Sequence, residues 1–262
     1  MPFTFAHPAA VLPLRRRFKS LQTVPLIVGS VVPDLPYYVP MRFNRLMWDT
    51  HTFSGVFWLD LPMGMAVLLL GFVFRRPLTA LLSPRARALC LQSVQHFRDQ
   101  PLHWVWAPFA IIVGAWTHLL WDSITHDNGW VVKRVAALSA PISLFGYTGS
   151  LCHVMQYVSS IAGLLILWIW FRRLPTPPVE APGHGILVPS ARTAILLLVC
   201  AAGAAVGAYR GVQAALGNHS YYRVFYTLLT SSCAWFALLY FMAGLFVTLN
   251  RNRKPEPVAE ET

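Results

Sequence analysis

The residues best equipped for chemistry in this 262-residue chain are histidines and aspartates standing at the ends of apolar runs. His51 immediately precedes one run, and His118, Asp122 and His126 close another in the stretch Gly114-Ala-Trp-Thr-His-Leu-Leu-Trp-Asp-Ser-Ile-Thr-His126. Residues four apart on a helix share a face, so His118 and Asp122 point at one object, and His126 joins them if the helix continues another turn. Asp34 follows Pro33 at the end of a short apolar leg. Two imidazoles with one or two carboxylates are a ligand set for a divalent metal: zinc first, then manganese or iron(II). A carboxylate near a helix C-terminus faces the negative end of the macrodipole, and the placing of both Asp34 and Asp122 there calls for a compensating cation. These two acids are also the candidates for a catalytic role, as ligand or base at a metal-activated water. The rival reading of a His-x-x-x-Asp pair is a structural hydrogen bond.

Hydropathy supplies the elements that must position these groups. The chain is 56% apolar and only 12% charged, which makes the lipid bilayer its solvent. A helix needs about 20 apolar residues to cross the hydrocarbon layer. Thr52–Phe74, Trp104–Trp121, Leu151–Phe171, Thr193–Tyr209 and Val224–Leu249 meet or approach that length. The expected fold is therefore an all-α integral membrane protein of about five transmembrane helices. Lys and Arg outnumber Asp and Glu by 21 to 10. The basic residues flank apolar runs, so they read as span edges, and no nucleic-acid partner is expected. They are densest on the side holding Arg75, Arg76, Arg172, Arg173, Arg251 and Lys254, which places the C-terminus in the cytoplasm of a multi-pass inner (plasma) membrane protein. The crossing order then puts the start of the first span and the end of the second on one outer side, where His51 meets His118 and Asp122.

Two shorter apolar legs, Phe5–Leu14 and Leu21–Val32, flank the basic cluster Arg15–Lys19. Each is roughly 15–18 Å long if helical, too short to span. A re-entrant helical hairpin would turn its basic tip toward the cytoplasmic headgroups and bring His7 and Asp34 together at its open end. Pro8, Pro13 and Pro25 oppose the helical assumption.

Other polar residues read as structural. Asp60, inside the first span, has no acid or base near it in sequence and is expected only to hydrogen-bond a neighbouring helix. His96 and His103 fall in an Arg-rich loop on the opposite side, and His153, His184 and His219 read as polar edge residues. Cys90, Cys152, Cys200 and Cys233 show no Cys-x-x-Cys spacing and read as packing residues. The Gly203–Gly207–Gly211 spacing marks a close-packed helix pair. The chain divides into a metal-site membrane domain (1–173), a Pro-rich linker (174–190), two further transmembrane helices (191–250) and a disordered tail (251–262).

Met1-Pro-Phe-Thr-Phe-Ala-His7, Gly29-Ser-Val-Val-Pro-Asp34, Thr50-His51-Thr-Phe-Ser-Gly55 and Thr117-His118-Leu-Leu-Trp-Asp122-Ser-Ile-Thr-His126 together resemble a bacterial membrane family of unknown function, over about residues 1–173. The order of His, Pro-Asp, His and His-x-x-x-Asp is similar to that of membrane-bound metal-dependent hydrolases and, more remotely, of the zinc-dependent phospholipase C and nuclease group. The resemblance implies a metal site of His7, Asp34, His51, His118 and Asp122. The chain departs from the phospholipase pattern in lacking a second His-x-x-x-Glu or His-x-x-x-Asp helix. The expected function is a metal-dependent hydrolase at the membrane surface, acting on a phosphoester or lipid-linked substrate. The alternative is a non-enzymatic structural, assembly or transport membrane protein using the same polar residues for structure or proton relay.

Overall fold

The computed structural model describes residues 4–18, 20–38, 49–144, 147–175, 187–217 and 221–251, which are almost wholly helical. A 3-10 turn, Thr4–Ala6, leads into α1 (Pro8–Arg17), and α2 (Thr23–Val31) runs into a second 3-10 turn, Val32–Tyr38. Then follow α3 (Val56–Val73, π-helical over Val56–Asp60), α4 (Arg75–Ala80), α5 (Pro84–Arg98) and α6 (Pro101–Thr125). A small hairpin of β1 (Pro141–Leu144) and antiparallel β2 (Tyr147–Ser150) precedes α7 (Leu151–Arg173), α8 (Pro189–Leu216) and α9 (Tyr221–Arg251). Five helices, α3, α6, α7, α8 and most of α9, are long and apolar enough to cross a membrane.

The prolines of the N-terminal hairpin fit its helices. Pro8 occupies the first position of α1 and Pro25 the first turn of α2, where a missing N–H goes unused. Pro13, inside α1, removes one helical bond. Val11, Leu21 and Leu26 are buried in one apolar cluster with Ala110 of α6, so the hairpin packs on the second span.

The chain forms two compact units: Met1–Pro36 with Arg42–Leu70 and Phe97–Pro175, and Tyr37–Met41 with Gly71–His96 and Thr176–Thr262. In the first unit α2 and α6 cross backbone to backbone. A Cβ on Gly29 would collide with the Ile111 carbonyl, and one on Gly114 with the Leu26 carbonyl. Gly163 of α7 lies against Ala6, where a Cβ would come within 3.0 Å of the Ala6 carbonyl oxygen and side chain. In the second unit Gly203, Gly207 and Gly211 let α8 approach Leu228, Ser232 and Phe236 of α9, the expected small-residue packing. The Tyr240 hydroxyl donates to the Leu78 carbonyl at 3.0 Å, tying α9 to α4.

The cysteines correct one expectation. Cys152 is buried, but Cys233 is half-buried and Cys90 and Cys200 are exposed, all four unpaired. An apolar run in a membrane protein faces lipid as readily as protein, so apolar surroundings in sequence do not mark the inward direction. The linker over 176–186, the tail from Asn252, Lys19, Arg42, Arg45, His184 and His219 lie outside the described residues.

Candidate metal centre

Four segments of the first unit bring the candidate residues together. His7 caps the start of α1, Asp34 sits in the 3-10 turn after α2, His51 precedes α3, and His118 and Asp122 occupy the last two turns of α6. Small polar residues hold each segment in place. The Thr4 hydroxyl donates to Asp34 Oδ2 at 2.6 Å and leaves Oδ1 to face the site. The Thr50 hydroxyl donates to the Pro33 carbonyl at 3.0 Å, tying the turn before α3 to the turn that carries Asp34. That turn closes on Thr52 Oγ1, which accepts from the Gly55 N–H at 3.0 Å, and a Cβ on Gly55 would strike the Asp49 carbonyl.

The hydrogen bonds fix which imidazole nitrogens carry protons. His118 Nδ1 lies 2.8 Å from the Ser30 carbonyl oxygen, which can only accept, so Nδ1 holds the hydrogen. The Gly29–Gly114 crossing makes this contact possible by bringing the two backbones together. His51 Nδ1 lies 3.1 Å from Thr50 Oγ1, whose proton is committed to Pro33, so Nδ1 is again the donor. Both rings therefore turn Nε2 toward the carboxylates. His51 Nε2 is 3.4 Å from Asp34 Oδ1 and 3.7 Å from Asp122 Oδ2. His118 Nε2 is 3.6 Å and 3.3 Å from the same two oxygens.

These separations discriminate between two arrangements. Charge-assisted N–H···O bonds between imidazolium and carboxylate would be about 2.7–2.9 Å. Neighbouring ligands on a tetrahedral ion, at bonds of about 2.0–2.2 Å, lie about 3.3–3.6 Å apart. Three of the four distances fall within the second spacing and the fourth, 3.7 Å, lies just above it, and the group Asp34, His51, His118 and Asp122 could hold a metal ion. The Nδ1–H bonds to Ser30 and Thr50 are of the kind that orients histidines in metal sites.

The other oxygen of Asp122 faces a different pair. His7 Nε2 lies 3.5 Å and His126 Nδ1 3.6 Å from Oδ1. His7 is wholly enclosed, stacked on His118 at 3.8 Å between ring centroids and edge-on to Trp121 at 5.4 Å. Neither of its ring nitrogens has a hydrogen-bond partner among the described residues. Burial, reinforced by the neighbouring His118, lowers the His7 imidazole to about 3, so it is neutral and has a lone pair to give. Burial raises the Asp34 carboxyl, but its imidazole neighbours, His118 foremost, lower it more, and it ionises more readily than a usual carboxylate. The helix continues one turn beyond Asp122, and the His126 N–H closes its last bond on the Asp122 carbonyl at 3.1 Å. α6 ends at Thr125, and His126 is its extended cap, with Nδ1 3.2 Å from the Asp122 carbonyl oxygen. Burial lowers its imidazole too.

Asp60 departs from the sequence reading. It is fully buried, neither carboxylate oxygen has a hydrogen-bond partner among the described residues, and it interacts electrostatically with His51, His118 and Asp34. Asp127, Cys152 and His153 form a second polar cluster. There the His153 Nε2 to Asp127 Oδ2 distance is 3.0 Å, and Ser150 and Cys152 donate to Oδ1 at 3.0 and 3.2 Å. These are hydrogen-bond lengths, and an acid beside the start of α7 is stabilised by the helix dipole, so the Asp127 carboxylate is satisfied by its protein partners. Although partial burial raises it, these partners hold the Asp127 carboxyl below its ordinary range. His153, read from the sequence as a polar edge residue, pairs with Asp127 in this second group.

The chain belongs to the family described as Domain of unknown function (DUF4184), whose model matches residues 1–249. That match takes in every residue of the centre, four of the apolar helices whole and all but the last residues of α9. No curated protein and no solved structure matches the chain.

Proposed function

We propose that this protein is a metal-dependent hydrolase of the membrane surface, with zinc or a similar divalent ion held by Asp34, His51, His118 and Asp122, with His7 as a further ligand on the opposite side of Asp122, and with His126, whose Nδ1 is committed to the Asp122 carbonyl, reaching an ion only through Nε2. The carrying observation is the set of four Nε2-to-carboxylate separations of 3.3–3.7 Å between rings whose other nitrogens are already committed as donors. A bound ion in such a site lowers the pKa of a water and polarises a phosphoryl or acyl oxygen. The chain's own contribution is a largely buried, pre-aligned donor set, with Asp34 or Asp122 placed to accept a proton.

Access and surroundings favour an amphiphilic substrate. His7 and His118 are sealed, whereas the His51, His126 and Asp122 side chains keep 22%, 23% and 12% exposure, so the centre opens past these three. Beside that opening, exposed Phe53 stacks on Trp116 at 5.6 Å, with Phe57 edge-on at 5.9 Å. An aromatic ledge at a span end suits the headgroup level of a bilayer and an acyl or isoprenoid chain beside a polar head. The crossing order and the distribution of basic residues favour the outer side of the plasma membrane for this opening, with a cytoplasmic C-terminus. The test is phosphate or headgroup release from mixed micelles of phospholipids and lipid-linked phosphates. Zinc-loaded wild type should release product and Asp122→Ala should not; equal turnover by both would overturn the proposal.

A further inference from the structure

We propose that Asp60 is a third carboxylate of the cation centre, forming its floor on the membrane side and contacting the bound cation through one ordered water. This rests on the metal reading above and extends it to a residue within the first span.

The placement follows from helix register. Gly64 of α3 abuts Ile111 of α6, where a Cβ would come within 2.7 Å of Ile111 Cγ2. His51, just before α3, meets His118 near the end of α6, with ring centroids 5.4 Å apart. The two spans are therefore antiparallel along this face. Asp60 precedes Gly64 by one turn, which sets it opposite the fully buried Ala115. From there to His118 is three residues along α6, about 4.5 Å of rise. Asp60 thus lies beneath the histidines, between the centre and the apolar body of the spans.

Chemistry gives the same assignment. A fully buried carboxylate costs several kcal/mol unless something pairs with it. None of the described residues hydrogen-bonds either oxygen of Asp60. Its electrostatic partners are three of the four groups of the candidate site, one of them a carboxylate that repels it. A cation above it resolves both the missing partner and the repulsion. Asp60 also ends the π-helical turn Val56–Asp60, a backbone irregularity that recurs at functional sites. Ionisable groups inside spans are functional by default, and this one has a destination.

The test compares Asp60→Asn with wild type, both purified in detergent, stripped of metal and titrated with zinc against a chromogenic chelator. The isosteric amide keeps the packing and removes the charge. Zinc affinity should fall roughly tenfold to a hundredfold, while the thermal midpoint of the metal-free protein should hold or rise, because an uncompensated buried charge has gone. A merely structural Asp60 would give the opposite pattern, with unchanged zinc affinity and a lowered midpoint, and would overturn the inference while leaving the metal centre standing. Wild type that takes up no zinc would overturn both. Should Asp60→Asn fail to fold, Asp60→Glu and Asp60→Ser carry the comparison: zinc affinity retained by Glu and lost by Ser supports the assignment, and equal affinity in both removes it.

Discussion

Replacing Asp122 by Ala removes the one residue that faces all four histidines of the centre. A four-ligand zinc site binds with about 10–16 kcal/mol of apparent free energy, or about 2.5–4 kcal/mol per ligand if shared equally. Losing one ligand should therefore weaken zinc binding roughly 10²- to 10³-fold. His118→Ala should weaken it as much and also strand the Ser30 carbonyl, which costs a further 1–3 kcal/mol or so of stability. The two variants thus share a loss of metal and differ in thermal midpoint. The assay is elemental analysis after gentle, chelator-free purification in detergent, followed by zinc competition against a chelator. Insertion should be normal in both, because the apolar length of α6 is unchanged. His153→Ala is the matched control. Its 3.0 Å partner is Asp127, outside the centre, so zinc should stay in place. Wild type without stoichiometric metal, or Asp122→Ala with wild-type zinc affinity, would refute the reasoning from ligand spacing.

A cysteine at Thr148 should react with a membrane-impermeant thiol reagent added outside intact cells, while Cys90 stays protected until the membrane is opened; the reverse would invert the topology. Cysteines at His7 and Asp34 should cross-link with a short bifunctional reagent, and the Arg16–Asp34 pair should not. Gly114→Leu should abolish stable folding, because even a Cβ there strikes the α2 backbone; an unchanged thermal midpoint would contradict the crossing. His7 should make the metal-free protein acid-sensitive. Its folded imidazole, at about 3, stays neutral while the unfolded one protonates near 6.5. Stability should thus be intact above about pH 6.5 and fall by up to about 1.4 kcal/mol per pH unit as the pH drops toward 3. His7→Phe should flatten that slope in urea titrations run at successive pH values.

The sequence disclosed the scaffold because the bilayer imposes a length on any crossing helix, and the five runs read from hydropathy recur as α3, α6, α7, α8 and α9. It disclosed the His118–Asp122 pair because i,i+4 spacing is local. What it hid depends on helices distant in the chain. Asp60 looked isolated because its neighbours arrive from residues 51, 118 and 34 through the antiparallel packing of α3 on α6. Thr4, Ser30 and Thr50 are residue types too common to signal anything, yet one orients Asp34 and the others set the proton on each imidazole. His126 follows from the same local spacing as the His118–Asp122 pair, because the helix runs one more turn past Asp122 and the His126 N–H closes it. The short hairpin of β1 and β2 carries no long apolar signal and went unread.

The partner of His118 Nδ1 is a main-chain oxygen, not a side chain. The protonation pattern of this buried ring is therefore encoded without using a side chain at codon 30, since any residue small enough for that fully buried position presents the same carbonyl. The information lies in codons 29 and 114, where only glycine admits the approach of the two backbones. In a saturation library selected for zinc retention, tolerance at Ser30 beside intolerance at Gly29 and Gly114 would be the genetic trace of that arrangement. Small side chains at position 30 would then interchange among functional clones, while the glycines behaved as though they were ligands.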